Sequence, residues 1–435
     1  MSRSIKVNFP NSINFDQLNP FPGTQTATFS INVITPLYGG GVEASKPDIE
    51  NPIRSSEIRG NLRFWWRTIF GGRYATTREM LLHEQQVWGA TDMPRVNVGV
   101  SVKQINGWRN PQDYNRNSSE GYALHALFSS DSNLLREGII FETSICWPDD
   151  DRLRMLTVLE NEQRKVAKKP PLPDLFQDVG KDIEAAVWAW TNFGGIGSRT
   201  RRGLGALWCR ELAPPDATLA EISKWYKEAL KNYGIIQTTG RTFSTIWKPP
   251  LVRTSATNPM AAWAESIGLM RTFRQAGEGR TGQGRSYWPE AETLRRIGNS
   301  RSRHHARQEE IPDDAFPRAE LGLPIIFQFK NTEVATSQLY PKGKKRMASP
   351  IILRPLQVEK GHKAVGMVLH LASALPKNLE LQIDGQKQEF SENYLRGERL
   401  IDYPNSPMSS RSQTGSALET FLNYAKEKGF KALTL

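Results

Sequence analysis

Cysteine is almost absent from this sequence, which has only Cys146 and Cys209 in 435 residues. Each lies in an apolar stretch typical of a strand, so the pattern excludes a disulfide framework or a cysteine zinc site and favours a reducing cytoplasm. Long apolar runs are also missing, since the sequence contains no stretch of about 18 apolar residues, the length needed to span a bilayer. The start, "MSRSIKVNFPNSINF", lacks the apolar core of a secretory signal. We therefore expect a soluble, cytoplasmic protein that contacts no membrane.

Histidine is scarce as well, and its spacing argues against a metal centre. The six histidines are His83, His125, His304, His305, His362 and His370. None of them forms an HExxH motif or a cluster with cysteine, which are the patterns that hold zinc. We expect no metal site and no cofactor.

Acidic residues are fewer than basic ones: the sequence has 57 Lys and Arg but 45 Asp and Glu, which gives a net charge of +12. A basic protein of this kind favours nucleic acid, an anionic surface or an acidic partner, and charge alone leaves the three open. With 435 residues, 38% of them hydrophobic, the chain is long enough for two or three folded domains.

Basic charge is concentrated in the stretch "TNFGGIGSRTRRGLGAL", residues 191–207, which holds five glycines, three arginines and no acidic residue. Glycine lets backbone N–H groups approach a ligand closely, and arginine offers a planar fork that fits phosphate. The pattern predicts a loop that binds a polyanion. The alternative is a flexible turn with a solvated basic surface.

Strands and helices alternate in a definite order along the first half. Apolar residues at every second position predict strands in "TQTATFSINVIT", "RVNVGVSVK" and "GIIFETSICW", and a fourth is predicted in "RGLGALWCREL". Two helices fall between them, with apolar residues at helical spacing: Ile58, Leu62, Trp65 and Ile69, then Val179, Ile183, Val187 and Trp190. This α+β order is the βαββαβ arrangement of ferredoxin-like and RNA-recognition folds. The glycine-rich stretch follows the second helix, whereas a Walker loop follows a strand, so nucleotide hydrolysis is not expected.

The first helix carries a second basic feature. In "EIRGNLRFWWRTIFGG", Arg59, Arg63 and Arg67 recur every four residues away from the apolar stripe, and Trp66 lies beside them. Arginine pairs with phosphate and tryptophan stacks on bases, so this face predicts RNA binding. The alternative is a solvated basic face, with Trp66 filling an edge of the core.

The "RGxLRxWWR" helix, the stretch "FGGIGSRTRRGLGAL" and the later "KKRMASPIILRP" resemble the RAMP superfamily of CRISPR RNA-guided effectors. Within it they are most similar to the large two-domain subunits that cap the crRNA 3′ side of the type III-B (Cmr) complex. The resemblance is strongest over residues 25–210 and resumes near 317–372.

The resemblance implies two ferredoxin-like domains, each with a glycine-rich element. These domains would hold the CRISPR guide RNA and the adjoining single-stranded target RNA, beside other RAMP subunits of an antiviral effector complex. The RNA-binding positions that it implies are Arg59, Arg63, Trp66, Arg67, Gly195, Gly197, Arg199, Arg201, Arg202, Gly203 and Gly205.

The second half is predicted to form another domain of the same class. We expect an N-terminal ferredoxin-like RAMP domain over 1–213 and a C-terminal RAMP-like domain over 214–435. Helices are predicted at 218–232 and 258–276, and strands in "LPIIFQFK", "SPIILRPLQV" and "AVGMVLHLAS".

An arginine-rich insertion at about 277–316 interrupts this second domain. Its Gly277, Gly279 and Gly282 match GxGxxG, but the match follows a helix rather than a strand and predicts no dinucleotide site. We expect the insertion to become ordered on RNA or on a partner.

The sequence gives little support for catalytic residues, and we expect no enzymatic activity. His304 and His305 lie in the basic insertion without a partner of fixed geometry, which favours a solvated loop over acid–base chemistry. Asp48 lies between the first strand and the first helix, where the target-cleaving subunits of the resembled complexes carry an aspartate. Besides a non-catalytic RNA-binding subunit, two alternatives stay open: a RAMP endoribonuclease that cleaves repeat or target RNA, with or without a metal, and a basic scaffold that contacts only protein.

Overall fold

The structure is a computed structural model that describes most of the chain. The described ranges are 23–41, 47–90, 95–128, 132–173, 178–238, 243–246, 248–275, 287–298, 315–329, 334–402 and 406–435. Helices and strands are numbered separately in chain order. The helices are α1 (Ser55–Phe70), α2 (Thr77–Trp88), α3 (Ser119–Leu124), α4 (Asp150–Val166), α5 (Val179–Phe193), α6 (Leu219–Tyr233), α7 (Pro259–Gln275), α8 (Glu290–Ile297) and α9 (Ala417–Glu427).

The strands form several antiparallel sheets. They are β1 (Thr24–Val33), β2 (Leu37–Tyr38), β3 (Asn97–Gln104), β4 (Trp108–Arg109), β5 (Leu134–Leu135), β6 (Ile139–Pro148), β7 (Leu207–Trp208), β8 (Thr245–Ile246), β9 (Leu251–Arg253), β10 (Ile325–Phe327), β11 (Ser337–Pro341), β12 (Ile351–Gln357), β13 (Ala364–Ala372), β14 (Asn378–Ile383), β15 (Gln386–Ser391) and β16 (Phe430–Ala432). The predicted α+β class is confirmed.

The first sheet has the order β3–β6–β1–β7, and every pair in it is antiparallel. Its three longer strands were predicted from apolar alternation, and Ile31 lies opposite Phe141 with both side chains buried. The fourth strand is shorter than predicted. Gly203 and Gly205 have φ values of +76° and +61°, which an extended strand cannot accommodate, so pairing begins only at Leu207.

Helices α1 and α5 pack against each other, and both are confirmed as predicted. Each buries the apolar stripe that its sequence predicts. The buried residues of these stripes are Ile58, Leu62, Trp65, Ile69, Val179, Ile183, Val187 and Trp190. Together the two helices supply much of the core of the first half.

The second sheet has the order β12–β13–β9–β16, with β8 also pairing to β13. Along the chain its elements follow as β9, α7, β12, β13, α9 and β16, so strand, helix, strand, strand, helix and strand recur. Numbered within its own half, each of the two sheets therefore has the order 2-3-1-4. The predicted strands in "SPIILRPLQV" and "AVGMVLHLAS" are β12 and β13.

The predicted strand in "LPIIFQFK" belongs elsewhere. It forms β10 in a separate sheet of order β10–β11–β14–β15, and a small sheet β2–β5–β4 lies in the first half. Helix α8 occupies part of the predicted arginine-rich insertion, and residues 277–286 and 299–314 of that insertion lie outside the described residues. Gly277, Gly279 and Gly282 fall in the first of these two ranges.

One cluster of buried side chains takes residues from both sides of position 213. It contains Trp66 and Trp188 from the first half, and Ile352 and Val365 from the second. Helix α6 was predicted at 218–232 and packs on α5, where the Trp188 ring lies 5.5 Å from Trp225. The boundary between residues 213 and 214 stays a prediction.

Candidate nucleic-acid interface

The glycine-rich loop, residues 194–206, connects the end of α5 to β7 and folds back on itself. Gly195 and Ala206 form an isolated antiparallel bridge, and the Ile196 N–H donates to the Gly205 carbonyl oxygen at 2.9 Å. A single 3₁₀ turn, Thr200–Arg202, forms its tip. The loop is therefore a compact structure with internal hydrogen bonds.

Close packing against protein explains why this loop needs glycine. A Cβ at Gly197, where φ is +80°, would lie 2.6 Å from the Tyr38 carbonyl oxygen. One at Gly203 would lie 2.6 Å from the Leu353 carbonyl oxygen, and one at Gly195 would lie 2.8 Å from that of Gly205. These distances are shorter than any real Cβ contact, so larger residues are excluded by the protein itself.

The backbone N–H groups of three of these glycines already have partners. The Gly197 N–H donates to Glu57 Oε1 at 2.6 Å, Gly203 to the Thr200 carbonyl oxygen at 2.9 Å, and Gly205 to that of Pro36 at 2.9 Å. Contrary to the prediction, these N–H groups are not free to bind an RNA backbone. Burial raises the pKa of Glu57, and the Gly197 N–H opposes that shift.

The three arginines of the loop reach different neighbours. Arg199, at φ +62°, donates to the Ala123 carbonyl oxygen at 3.2 Å, and Arg201 donates to the Ser349 carbonyl oxygen. The Arg202 guanidinium lies 5.1 Å from the centre of the Tyr122 ring. Burial lowers the pKa of Arg199 and lowers that of Arg201 to about 10. Within the described part of the chain, none of the three pairs with a carboxylate, so their charge is available to an anion.

The arginines of the α1 stripe form hydrogen bonds to other parts of the protein. Arg63 Nε and Arg67 Nη1 donate to Glu84 Oε1 at 2.6 and 2.7 Å, and Arg59 donates to the Trp88 carbonyl oxygen at 3.0 Å. Glu84 is fully buried on α2, so the stripe joins α1 to α2. The predicted free cationic face is corrected accordingly, because a buried carboxylate partly neutralises it.

Trp66 packs in the core and is not a stacking platform. It has no exposed surface, its indole N–H donates to Asp182 Oδ2 at 2.9 Å, and its ring lies 5.9 Å from that of Phe70. Burial raises the pKa of Asp182 to about 6, against the opposing effects of the Trp66 hydrogen bond and of Arg73. The RNA-facing assignment of Trp66 is therefore withdrawn.

Arg354, which the sequence patterns above do not single out, connects the loop to the second sheet. This arginine is fully buried in β12 and donates to the carbonyl oxygens of Gly194 and Leu207, each at 2.5 Å. These carbonyls flank the loop at its two ends. The signal was present as a charged residue inside the apolar strand "SPIILRPLQV", where a buried charge needs dedicated partners.

Of the candidate catalytic positions Asp48, His304 and His305, the described residues include Asp48 alone. Asp48 Oδ1 accepts from the N–H groups of Glu50 and Asn51 at 3.0 and 3.1 Å, and Oδ2 lies 3.6 Å from Arg54, which is the arrangement of a structural turn. His304 and His305 lie outside the described residues. In the described ranges, no group of three or more His, Cys, Asp or Glu could hold a metal ion, and no helix is long and apolar enough to cross a membrane.

Comparison with known proteins identifies the class of this fold and loop. Residues 30–208, which include most of the first sheet and the glycine-rich loop, match the model of the RAMP superfamily. The resemblance to the RAMP superfamily that is seen in the sequence is therefore confirmed over this part of the chain.

The chain is also similar to CRISPR system Cmr subunits of Pyrococcus furiosus. It is 25% identical to subunit Cmr1-2 over 202 residues, which cover 42% of this chain and 93% of that protein. It is 27% identical to subunit Cmr1-1 over 156 residues, which cover 36% of this chain and 40% of that protein.

Solved structures also resemble the chain at low identity. The crystal structure of apo Cmr1 from Pyrococcus furiosus matches with a TM-score of 0.46 and 16% identity, over 85% of this chain and 94% of that one. A chain in the cryo-EM structure of the type III-B Cmr-beta complex bound to cognate target RNA matches with a TM-score of 0.45 and 11% identity, over 86% of this chain and 97% of that one.

Proposed function

We propose that this chain is a non-catalytic RNA-binding subunit of a type III-B CRISPR effector, holding the guide RNA 3′ region and adjoining target RNA. The observation that carries the proposal is the loop tip, where Arg199, Arg201 and Arg202 are half-buried, contact neighbouring protein groups and are unpaired with any described carboxylate. Guanidinium groups held in this way favour phosphate. The relatives are named Cmr subunits of a CRISPR system, which supports a place beside other RAMP subunits in the cytoplasm.

We further infer that each half contains a ferredoxin-like unit. The order 2-3-1-4 with helices after the first and third strands, found in both sheets, supports this inference. A glycine-rich loop then follows the second helix of the first unit.

Salt dependence tests the RNA binding. If about five phosphates are neutralised, the logarithm of affinity for single-stranded RNA falls with the logarithm of salt concentration at a slope of roughly −3.5. The double variant Arg199→Gln, Arg202→Gln should make this slope shallower by about 1.4, since about 0.7 is lost per phosphate contact. Arg154→Gln, which removes an exposed arginine from α4, is the matched control and should behave like the unaltered protein. A slope near zero would favour the scaffold that contacts only protein.

The absence of catalysis is proposed separately. Asp48 is held by backbone N–H groups and Arg54, so Asp48→Asn should leave target-RNA cleavage by a reconstituted complex intact. The double change His304→Ala, His305→Ala should also leave it intact. Loss of one specific cut in Asp48→Asn, with RNA binding retained, would establish the endoribonuclease alternative instead.

A further inference from the structure

A second group of cationic side chains lies near Tyr122, beside the loop tip. Tyr122 belongs to α3, Arg202 to the tip of the glycine-rich loop, Arg274 to the last turn of α7, and Arg318 to the turn Pro317–Leu321. Arg318 Nη1 donates to the Arg274 carbonyl oxygen at 3.3 Å, and Arg202 lies 5.1 Å from the Tyr122 ring. We call this group the Tyr122 pocket.

The pocket has more positive than negative charge. Arg318 Nε lies 3.1 Å from Glu290 Oε1, and Glu290 is fully buried. Arg202 and Arg274 have no ion pair with a described carboxylate, so three guanidinium groups share one acidic partner among the described residues. Burial by itself raises the pKa of Tyr122, yet its pKa is lowered because Arg274, Arg202 and Arg318 together outweigh burial. The arginines therefore give the surroundings of this phenol a net positive character.

The Arg318 side chain and the backbone of Arg202 are held by neighbours from the second half. The Trp263 indole N–H donates to the Arg202 carbonyl oxygen at 2.7 Å. Arg318 is held by Glu290 and lies 5.6 Å from the Trp288 ring. Because Arg318 and the backbone that carries Arg202 are already in place, less conformational entropy is lost when an anion arrives, which favours binding.

We propose that the Tyr122 pocket binds a phosphate group, with Arg202 and Arg274 as its cationic ligands, the Tyr122 hydroxyl as a further donor and Arg318 as a positioning residue. The phosphate is either a phosphodiester of the bound RNA or a free phosphate ion. The first case rests on the proposed RNA-binding function, and the second does not.

Tyrosine NMR of the full chain tests the site directly. Protein labelled with ¹³C at the tyrosine ring is titrated with inorganic phosphate and, separately, with a single-stranded RNA that has hydroxyl ends. The Tyr122 signal is assigned by its loss in Tyr122→Phe. Either probe should shift this signal and raise the pKa of Tyr122, because a bound phosphate offsets the arginine field. A shift with RNA alone identifies a phosphodiester, and a shift with inorganic phosphate shows that a free ion suffices. If neither probe moves the signal, the proposal is overturned, whatever the variants do.

Affinity measurements on a variant complete the test. Arg274→Gln should weaken RNA binding about tenfold and abolish the Tyr122 shift, whereas the control Arg154→Gln should do neither. Arg274 is substituted instead of Arg318, because Arg318 also neutralises the buried Glu290. Removing Arg318 would therefore threaten folding. Unchanged RNA affinity in Arg274→Gln would reject the phosphodiester case, but it would not count against the proposed RNA-binding function. If the unaltered protein fails to bind RNA but inorganic phosphate still shifts Tyr122, the proposed function fails and the pocket stands.

Discussion

At position 354 the apolar strand β12 carries a buried arginine whose partners are all backbone carbonyl oxygens. The side chain donates to Gly194, Leu207 and Pro355 and has no exposed surface. Burial lowers its pKa to about 9, so the charge is costly but still present at neutral pH. Hydrogen bonds from a charged donor to carbonyls at the end of α5 and the start of β7 offset this cost.

Replacing this arginine should therefore destabilise the protein. Arg354→Met keeps most of the volume but leaves the Gly194 and Leu207 carbonyl oxygens without their donor, and we expect the free energy of unfolding to fall by about 2–4 kcal/mol. Urea denaturation followed by circular dichroism measures the change. Arg154→Met at an exposed site of α4 serves as the control. Equal midpoints for the two variants would show that the buried hydrogen bonds contribute nothing net.

Asp182 predicts a dependence of stability on pH. Its pKa is raised from 3.8 to about 6 in the folded protein, mainly by burial, so the folded state keeps a proton that the unfolded chain has already lost. Stability should therefore decrease as the pH rises from about 4 to about 6 and then stay reduced. In Asp182→Asn this decrease should be smaller by up to about 3 kcal/mol. Urea denaturation across this pH range is the measurement, and identical pH profiles for the two proteins would contradict the assignment.

Among the elements, α1 shows what the sequence predicts and what it cannot. The helical spacing of Ile58, Leu62 and Trp65 predicts the buried face correctly, because that pattern is local. The role of Arg63 and Arg67 depends on Glu84, which belongs to another helix and becomes their partner only through tertiary packing. A periodic charged stripe looks the same in sequence whether it faces RNA, water or a buried carboxylate.

The glycine-rich loop shows the same limit. Its composition indicated close approach of the backbone, which is observed, but the neighbours that approach are protein segments such as Tyr38 and Leu353. Likewise, the strands of the second sheet were predicted individually, whereas their order depends on contacts distant in sequence. Arg202 was selected from the sequence, yet nothing local associates it with Tyr122 and Arg274.

A pair of glycine substitutions tests the packing role of the loop. Gly203→Ala places a methyl group 2.6 Å from the Leu353 carbonyl oxygen at a φ of +76°, and should lower the free energy of unfolding by about 2 kcal/mol or more. Gly60→Ala, on the exposed side of α1 with no atom within 4 Å of the new methyl group, should instead raise it by about 0.5–1 kcal/mol. Thermal melting distinguishes the two. Equal effects at both sites would refute the packing explanation.

Gly197→Val should act through folding before it acts on RNA. Its branched side chain would collide with Leu37 and with the Tyr38 carbonyl oxygen, both 2.6 Å from the position of Cβ. We expect a lower melting temperature together with weaker RNA retention. A variant that melts like the unaltered protein but has lost RNA affinity would restore the idea that RNA contacts this glycine directly.

For the whole molecule, the shared buried cluster predicts cooperative unfolding. Trp66 and Trp188 of the first half share that cluster with Ile352 and Val365 of the second, so neither half retains its full core when the other unfolds. Circular dichroism and tryptophan fluorescence should therefore give coincident transitions in urea. Two separated transitions would show that the halves are stable independently, as the boundary predicted at residue 213 implies.

The hydrogen bonds of Arg354 also have a consequence for synthesis on the ribosome. The glycine-rich loop emerges about 150 residues before Arg354, which at about 5–20 residues per second is a delay of about 10–30 s. Until Arg354 has been synthesised, the carbonyl oxygens of Gly194 and Leu207 lack their donor. We therefore expect the first half of a nascent chain to bind RNA more weakly than the finished protein does. Ribosome-stalled chains in which only residues 1–340 have emerged should accordingly retain less RNA than released full-length chains, and equal retention would show that the loop matures on its own. Under the proposed function, such a delay would keep an unfinished subunit from capturing RNA before it joins an effector complex.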